Sequence, residues 1–434
     1  MKIKMGLALA VQLAAVCTVC AGALRFAVTN DHTNLLYSVG EDATFTVVVR
    51  TSDGQVPTGG TVVATLDNYG PKRIATETFD LAKGNVLTVR GRLQEPGFLR
   101  LCLAAPETWY VWSVGYEPER LEKGSPRPAD FDAFWAQARA RLAKEVPLDA
   151  RVVRVDERST ADFDFYRISF ATFGRRVHGY MSVPTDKTRA PFPVDVQVAA
   201  AGFGNWTNDM GGRKDSINVF FSVYPFEPHW KWASTGLQKA YDALNAVPGV
   251  RDEAAYSVSG LAKGREAYFY YPVILGIDRA VDWIAARPDV DLRCFRYQGT
   301  SQGGGFGFYL TALNRHFTRA AFFVPAITDT MGFLKGRQSG WPQPVEKMPN
   351  EADREAAKAV APYFDAANFA SLIRCPVRVV VGFSDPLCAP CAVYSAYNAI
   401  PAADKAIIHG FGMTHSCRPE FYAALDRWIR EPER

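Results

Sequence analysis

Two hydrophobic rhythms divide the chain. Between residues 24 and 116 apolar side chains recur at every second position, as where Phe45, Val47 and Val49 are interleaved with Thr44, Thr46 and Val48. Residues 61–66, 86–89 and 98–103 read the same way. That period places one face of a strand on a core and the other outward. Ser52-Asp53-Gly54, Asn68-Tyr69-Gly70-Pro71 and Lys83-Gly84-Asn85 supply turns between the strands. Short strands at this spacing predict a small antiparallel sandwich over residues 24–116. No Cys-Trp-Cys pattern accompanies it, so "immunoglobulin-like" describes its architecture alone.

Past residue 129 the rhythm changes. Asp130 is placed to cap a helix over 131–144, whose Phe131, Phe134, Trp135, Ala138 and Leu142 share a face. Strands are predicted at 152–155, 164–171 and 177–183, with His178 a structural residue inside the last. An apolar strand over 194–200 breaks into Ala201-Gly202-Phe203-Gly204-Asn205-Trp206. Residues 208–236 carry Phe220, Phe221, Tyr224, Phe226, Trp230 and Trp232 and read as a long aromatic loop. A helix face follows at Ile277, Ala280, Val281, Ile284 and Ala285, then a strand at 292–297. Strands at 320–324, 377–381 and 406–409 alternate with helices at 351–363 and 420–429. Strands alternating with helices predict an α/β domain over 129–434: a mostly parallel sheet with helices on both faces. Residues 117–128 hold Pro118, Gly124, Pro126 and Pro128 amid charges and read as a linker.

Composition changes this picture little. The chain has 434 residues, 48% hydrophobic and 22% charged, with a formal charge of +4. That is an ordinary globular balance, and no lysine or arginine block argues for nucleic acid. Residues 1–23 read as a signal peptide: Lys2 and Lys4, an apolar run from 6 to 19, and the small residues Ala21-Gly22-Ala23. Cleavage after Ala23 would send the chain to the periplasm or the exterior. Lipid attachment at Cys20 is the weaker reading, because Cys17-Thr18-Val19 is a poor run-in. No later stretch is long and apolar enough to span a membrane. Beyond this segment lie Cys102, Cys294, Cys375, Cys388, Cys391 and Cys417. One C-x-x-C, at Cys388 and Cys391, makes neither a zinc site nor a thioredoxin motif by itself, and a disulfide or buried free thiols are expected there. No metal or cofactor is expected.

The candidate chemistry sits at Tyr297-Gln298-Gly299-Thr300-Ser301-Gln302-Gly303-Gly304-Gly305. Its core is G-x-S-x-G, with a strand before it and Phe306, Tyr309, Leu310 and Leu313 at helical spacing after it. Strand, tight turn and helix form the setting of a nucleophile elbow. Such a turn lifts the Ser301 hydroxyl to a helix N-terminus, where free N–H groups favour an oxyanion. The acid and base should follow Ser301 on loops at the carboxyl ends of strands. Asp329 and Asp385 qualify as acids; Asp385 is preferred because it follows the cleaner strand and precedes the last one. His409 and His415 qualify as bases; His415 is preferred because its glycine-containing loop can reach over the sheet. The backbone N–H groups of Gln302 and Phe203 are the candidate oxyanion donors. Trp206, Trp230 and Trp232 are candidates for stacking on a sugar ring, although the aromatic loop serves packing equally well. His229 precedes the elbow, which argues against it as the base.

The second domain resembles the acetyl xylan esterase/cephalosporin-C deacetylase family of carbohydrate esterases. The matching segments are Arg127-Pro128-Ala129-Asp130-Phe131-Asp132-Ala133-Phe134-Trp135, Gly299-Thr300-Ser301-Gln302-Gly303-Gly304, Val324-Pro325 with Asp329, and Asp385-Pro386-Leu387-Cys388 with Tyr394 and Tyr397-Asn398. The resemblance covers about residues 120–430. It implies an α/β-hydrolase with Ser301, Asp385 and His415 as its triad, and Phe203 and Gln302 around the oxyanion. It implies acetylated xylo-oligosaccharides or similar small acetyl esters as substrates, and a possible homo-oligomer. Other esters or peptides, or a sugar-binding surface protein with a degenerate hydrolase domain, are the alternatives.

Overall fold

The protein is described by a computed structural model covering residues 24–202, 212–227, 242, 246 and 256–431. Residues 24–116 fold into β1 (Leu24–Asn30), β2 (Leu36–Tyr37), β3 (Ala43–Thr51), β4 (Thr61–Asp67), β5 (Arg73–Asp80), β6 (Val86–Gly91), β7 (Gly97–Ala105) and β8 (Thr108–Tyr116). They make a three-stranded sheet, β1-β3-β6, and a five-stranded sheet, β2-β8-β7-β4-β5. Phe45, Val47 and Val49 from the first sheet and Val62, Ala64, Leu66, Leu99, Leu101 and Leu103 from the second are buried in one core. The alternation marks these strands well. It misses β5, an edge strand with nearly all its side chains exposed or half-exposed, because such a strand needs no apolar face.

The chain then runs through α1 (Phe131–Glu145), β9 (Arg151–Arg154), β10 (Phe163–Thr172), β11 (Arg175–Pro184), β12 (Phe192–Val198), β13 (Ile217–Ser222), α2 (Tyr270–Ala285), β14 (Val290–Thr300) and α3 (Gln302–Leu313). It continues with β15 (Arg319–Phe323), α4 (Glu351–Val360), α5 (Ala366–Ala370), β16 (Val377–Gly382), α6 (Pro390–Asn398), β17 (Lys405–Gly410) and α7 (Pro419–Arg430). The strands form one nine-stranded sheet, β17-β16-β15-β14-β12-β13-β11-β10-β9. From β17 to β13 every pair is parallel, whereas β13–β11, β11–β10 and β10–β9 are antiparallel. The sheet is therefore mixed. Its faces are both covered: Ala320 and Phe322 of β15 pack in the main core with α3, while Ala321 and Phe323 pack with Leu425 and Ile429 of α7.

Two expectations change. Phe220 and Phe221 do not belong to an aromatic loop, because β13 is a central strand with all six residues buried. A strand buried on both faces shows no alternation, and that hides it in the sequence. Asp130 stands at the N-cap position of α1 as expected, but its side chain makes no capping bond; its carboxylate accepts hydrogen bonds from the Tyr363 hydroxyl and, at 2.9 Å, from Arg265 Nη1.

The segment 117–128 is closely held. Asn398 Nδ2 donates to the carbonyls of Pro118 (3.0 Å) and Leu121 (2.9 Å), and Arg337 Nη2 donates to that of Glu122 (2.6 Å). These bonds tie the segment to the end of α6 and to the stretch between β15 and α4.

Candidate active site

β14 feeds directly into Ser301, whose φ of 54° lies in the region that non-glycine residues rarely adopt. The turn is held by main-chain bonds: Ser301 N–H donates to Phe323 O at 2.9 Å, and Gly305 and Ala326 N–H donate to Ser301 O at 3.0 and 2.9 Å. The flanking glycines are steric requirements. A Cβ on Gly299 would lie 2.4 Å from Gly303 O, and one on Gly303 would lie 2.2 Å from Val198 O. The expected elbow is thus present, with Gln302 as the first residue of α3. Its N–H lies outside the helix's own hydrogen-bond ladder and is free in principle for a ligand oxygen.

The loop after β17 carries His415 back over the sheet. His415 Nε2 lies 2.9 Å from Ser301 Oγ, and His415 Nδ1 lies 2.8 Å from Asp385 Oδ2. Asp385 is fully buried; its Oδ1 accepts the N–H groups of Leu387 (2.8 Å) and Cys388 (2.9 Å). An ionised carboxylate only accepts, so Nδ1 carries the proton and Nε2 turns its lone pair to the Ser301 hydroxyl. Burial alone would lower the His415 pKa. The hydrogen bond and the charge of Asp385 together outweigh it, and the imidazole ends above its ordinary value. The arrangement can take a proton from Ser301 and stabilise the imidazolium that results.

The other candidates are occupied elsewhere. His409 is in β17 with Nε2 2.5 Å from the Tyr394 hydroxyl, and burial lowers its pKa. Asp329 is tied to Gly124 and Arg337, away from His415. His316, which also follows Ser301 in the chain, faces Asp282 at 3.5 Å beyond the far end of α3. His178 sits in β11 between Ser169 and Ser222, as a structural residue would. Phe203, Trp206, His229, Trp230 and Trp232, and the signal segment 1–23, lie outside the described residues.

Two neighbours of the site have side-chain surroundings that their motifs do not foretell. The side chain of Gln302 is locked by three bonds: Tyr256 and Tyr270 hydroxyls donate to Oε1 at 2.5 and 2.7 Å, and Nε2 donates to Ala199 O at 3.1 Å. It joins the elbow to the residue that follows β12. The Gln in G-x-S-Q-G is the sequence signal, but its tyrosine partners lie more than 30 residues upstream and no spacing rule finds them. Cys388 brings its thiol to within 4.8 Å of ligand atoms of both Asp385 and His415, and burial holds that thiol protonated, far above its usual pKa. All six described cysteines are free, so Cys388 and Cys391 are buried thiols rather than a disulfide.

A mixed sheet covered by helices, with a serine at a strand–helix elbow and a histidine and an aspartate on the following loops, is the architecture of an α/β-hydrolase. The family model "Acetyl xylan esterase (AXE1)" matches residues 118–430, and the chain belongs to that family. It is 29% identical over 331 residues to the acetyl esterase Axe7A of Xylanibacter ruminicola, an alignment covering 76% of this chain and 73% of that protein. Among solved structures it resembles an acetyl xylan esterase from Paenibacillus sp. R4 (TM-score 0.59, 21% identity, 72% of this chain and 98% of that one). It also resembles acetyl xylan esterase 1 from Thermoanaerobacterium sp. JW/SL YS485 (TM-score 0.58, 19% identity, 72% and 96%). Membership makes the protein a carbohydrate esterase and a carboxylic ester hydrolase.

Proposed function

We propose that the protein is an exported serine esterase that removes acetyl groups from acetylated xylo-oligosaccharides or similar small acetyl esters. The observation that carries the mechanism is His415, whose two ring nitrogens lie within hydrogen-bond reach of Ser301 Oγ and Asp385 Oδ2. Ser301 Oγ attacks the ester carbonyl while His415 Nε2 takes its proton. Asp385 holds the His415 tautomer and balances the imidazolium. The N–H groups of Gln302 and Phe203 receive the oxyanion. His415 returns the proton to the departing sugar oxygen, leaving an acetyl-serine. Water, deprotonated by His415, then releases acetate and restores Ser301.

The substrate class rests on the family and on the acetyl esterase relative. Export rests on the pattern of residues 1–23; among the described residues no helix is long and apolar enough to cross a membrane. The test is acetate release from acetylated xylo-oligosaccharide by the wild type and by Ser301→Ala. The substitution should lower kcat by a factor of about 10⁴ or more with the fold intact. A Ser301→Ala variant that keeps wild-type turnover removes the mechanism. A wild type that is labelled by a fluorophosphonate at Ser301 yet releases no acetate removes the substrate and keeps the mechanism.

A further inference from the structure

The sandwich touches the site through two loops. The carbonyl of Phe383, two residues before Asp385, points out of the hydrolase domain and accepts two hydroxyl donors from the sandwich: Tyr69 at 2.8 Å, and Ser113. Both donors are fully buried. Tyr69 is itself fixed. Its N–H donates to Asp67 Oδ1 at 2.8 Å, its ring carries the Arg100 guanidinium 4.4 Å from the centroid, and Arg100 pairs with Asp67 at 2.8 Å. From the same junction Gln338, whose N–H binds Tyr69 O, donates from Nε2 to Pro386 O at 2.7 Å. Phe383 is thus gripped from the sandwich, and Pro386, on the other side of Asp385, by a hydrolase residue that is itself bonded to Tyr69. Phe98 of β7 adds an edge contact to the Phe383 ring at 5.1 Å.

The base loop meets the sandwich as well. Gly412, at φ +64°, lies so close to the Trp112 ring that a Cβ there would sit 2.4 Å from Cζ3. Trp112 is held in turn by its Nε1–H on Asn30 Oδ1 at 2.8 Å.

We propose that the sandwich is a positioning element of the active site: Tyr69 and Ser113 set the Asp385 loop through the Phe383 carbonyl, and Trp112 backs the loop of His415. This rests on the Ser301–His415–Asp385 reading above. A carboxylate displaced by a fraction of an ångström holds the imidazole less well, and such misplacement lowers turnover without touching substrate binding. Tyr69 and Ser113 are positioning residues, since neither touches the reacting atoms.

The test is the double variant Tyr69→Phe/Ser113→Ala in the full chain, because either hydroxyl alone still satisfies the carbonyl. The rate of fluorophosphonate labelling at Ser301 and kcat for acetate release are expected to fall together by about 10- to 100-fold. KM should stay within about two-fold, and the acid limb of the kcat–pH profile should move to lower pH as Asp385 loses its grip on His415. Ser113→Thr with Tyr69→Phe, which keeps one hydroxyl, should restore most of the rate. A folded double variant that labels and turns over at the wild-type rate overturns the proposal. So does a loss of rate that only tracks the unfolded fraction seen by circular dichroism. A wild type that labels at a site other than Ser301 overturns the triad reading instead, and the two failures are told apart by that control. Should the double variant not fold, Trp112→Leu, which removes the backing of the His415 loop, is read by the same labelling rate and kcat: values equal to those of the wild type overturn the proposal.

Discussion

The main-chain N–H of Gly124 donates to Oδ1 of Asp329 at 2.5 Å, while Oδ2 faces Arg337 Nη2 at 3.4 Å. The second aspartate that chain order offers as a triad acid is thus a clamp on the segment between sandwich and hydrolase. Gly124 is suited to the contact, since a Cβ on it would lie 2.0 Å from Met331 O. Asp329 and Arg337 are both buried. Removing one partner of such a pair leaves a charge without compensation, so Asp329→Ala should cost about 3–5 kcal/mol of stability. Denaturant unfolding measures the loss. The folded fraction should keep kcat within a few-fold. Full stability in this variant would show that the pair contributes nothing.

The pH dependence of turnover should follow His415. Burial lowers its pKa, but the hydrogen bond and charge of Asp385 raise it more, so the net value lies above 6.5. The base must be neutral, so kcat should rise with pH through that raised value and then level off. The stability contribution runs the other way: it is full below the unfolded pKa of about 6.5 and is lost as pH rises through the folded value. In Asp385→Asn the raising contributions disappear and burial remains. The acid limb should then shift to lower pH while kcat falls about 10⁴-fold. An acid limb that stays in place in this variant would show that another group titrates.

His178 makes an opposite prediction for stability. Burial, helped by the positive charges of Arg176 and Arg151, lowers its pKa to about 4. A histidine held neutral in the fold contributes stability that is present above its unfolded pKa and is lost as pH falls toward the folded one. Between about pH 7 and pH 4 this group should cost up to about 3 kcal/mol. Urea midpoints across that range should fall less steeply in His178→Gln than in the wild type. Identical slopes would place the acid sensitivity elsewhere.

Most of what the residues say about themselves is local. The elbow at Ser301 is legible because a strained turn between strand and helix needs Gly299 and Gly303, and those glycines leave a pattern. Period-two alternation marks β3, β4, β6 and β7, each with one face in the sandwich core. It fails for β13, buried on both faces, and for β5, buried on neither.

The choice between paired candidates belongs to the fold. Asp329 and Asp385 look alike in sequence, as do His409 and His415. What separates them is which neighbours fill their hydrogen bonds: Gly124 and Arg337 for Asp329, Tyr394 for His409, and one another for Asp385 and His415. The same holds for Tyr69 and Ser113, 314 and 270 residues from the carbonyl they share. Local pattern records what a residue demands of its own backbone. A contact between distant segments leaves no period in the chain, and only the packing of the sandwich on the hydrolase sheet brings it about.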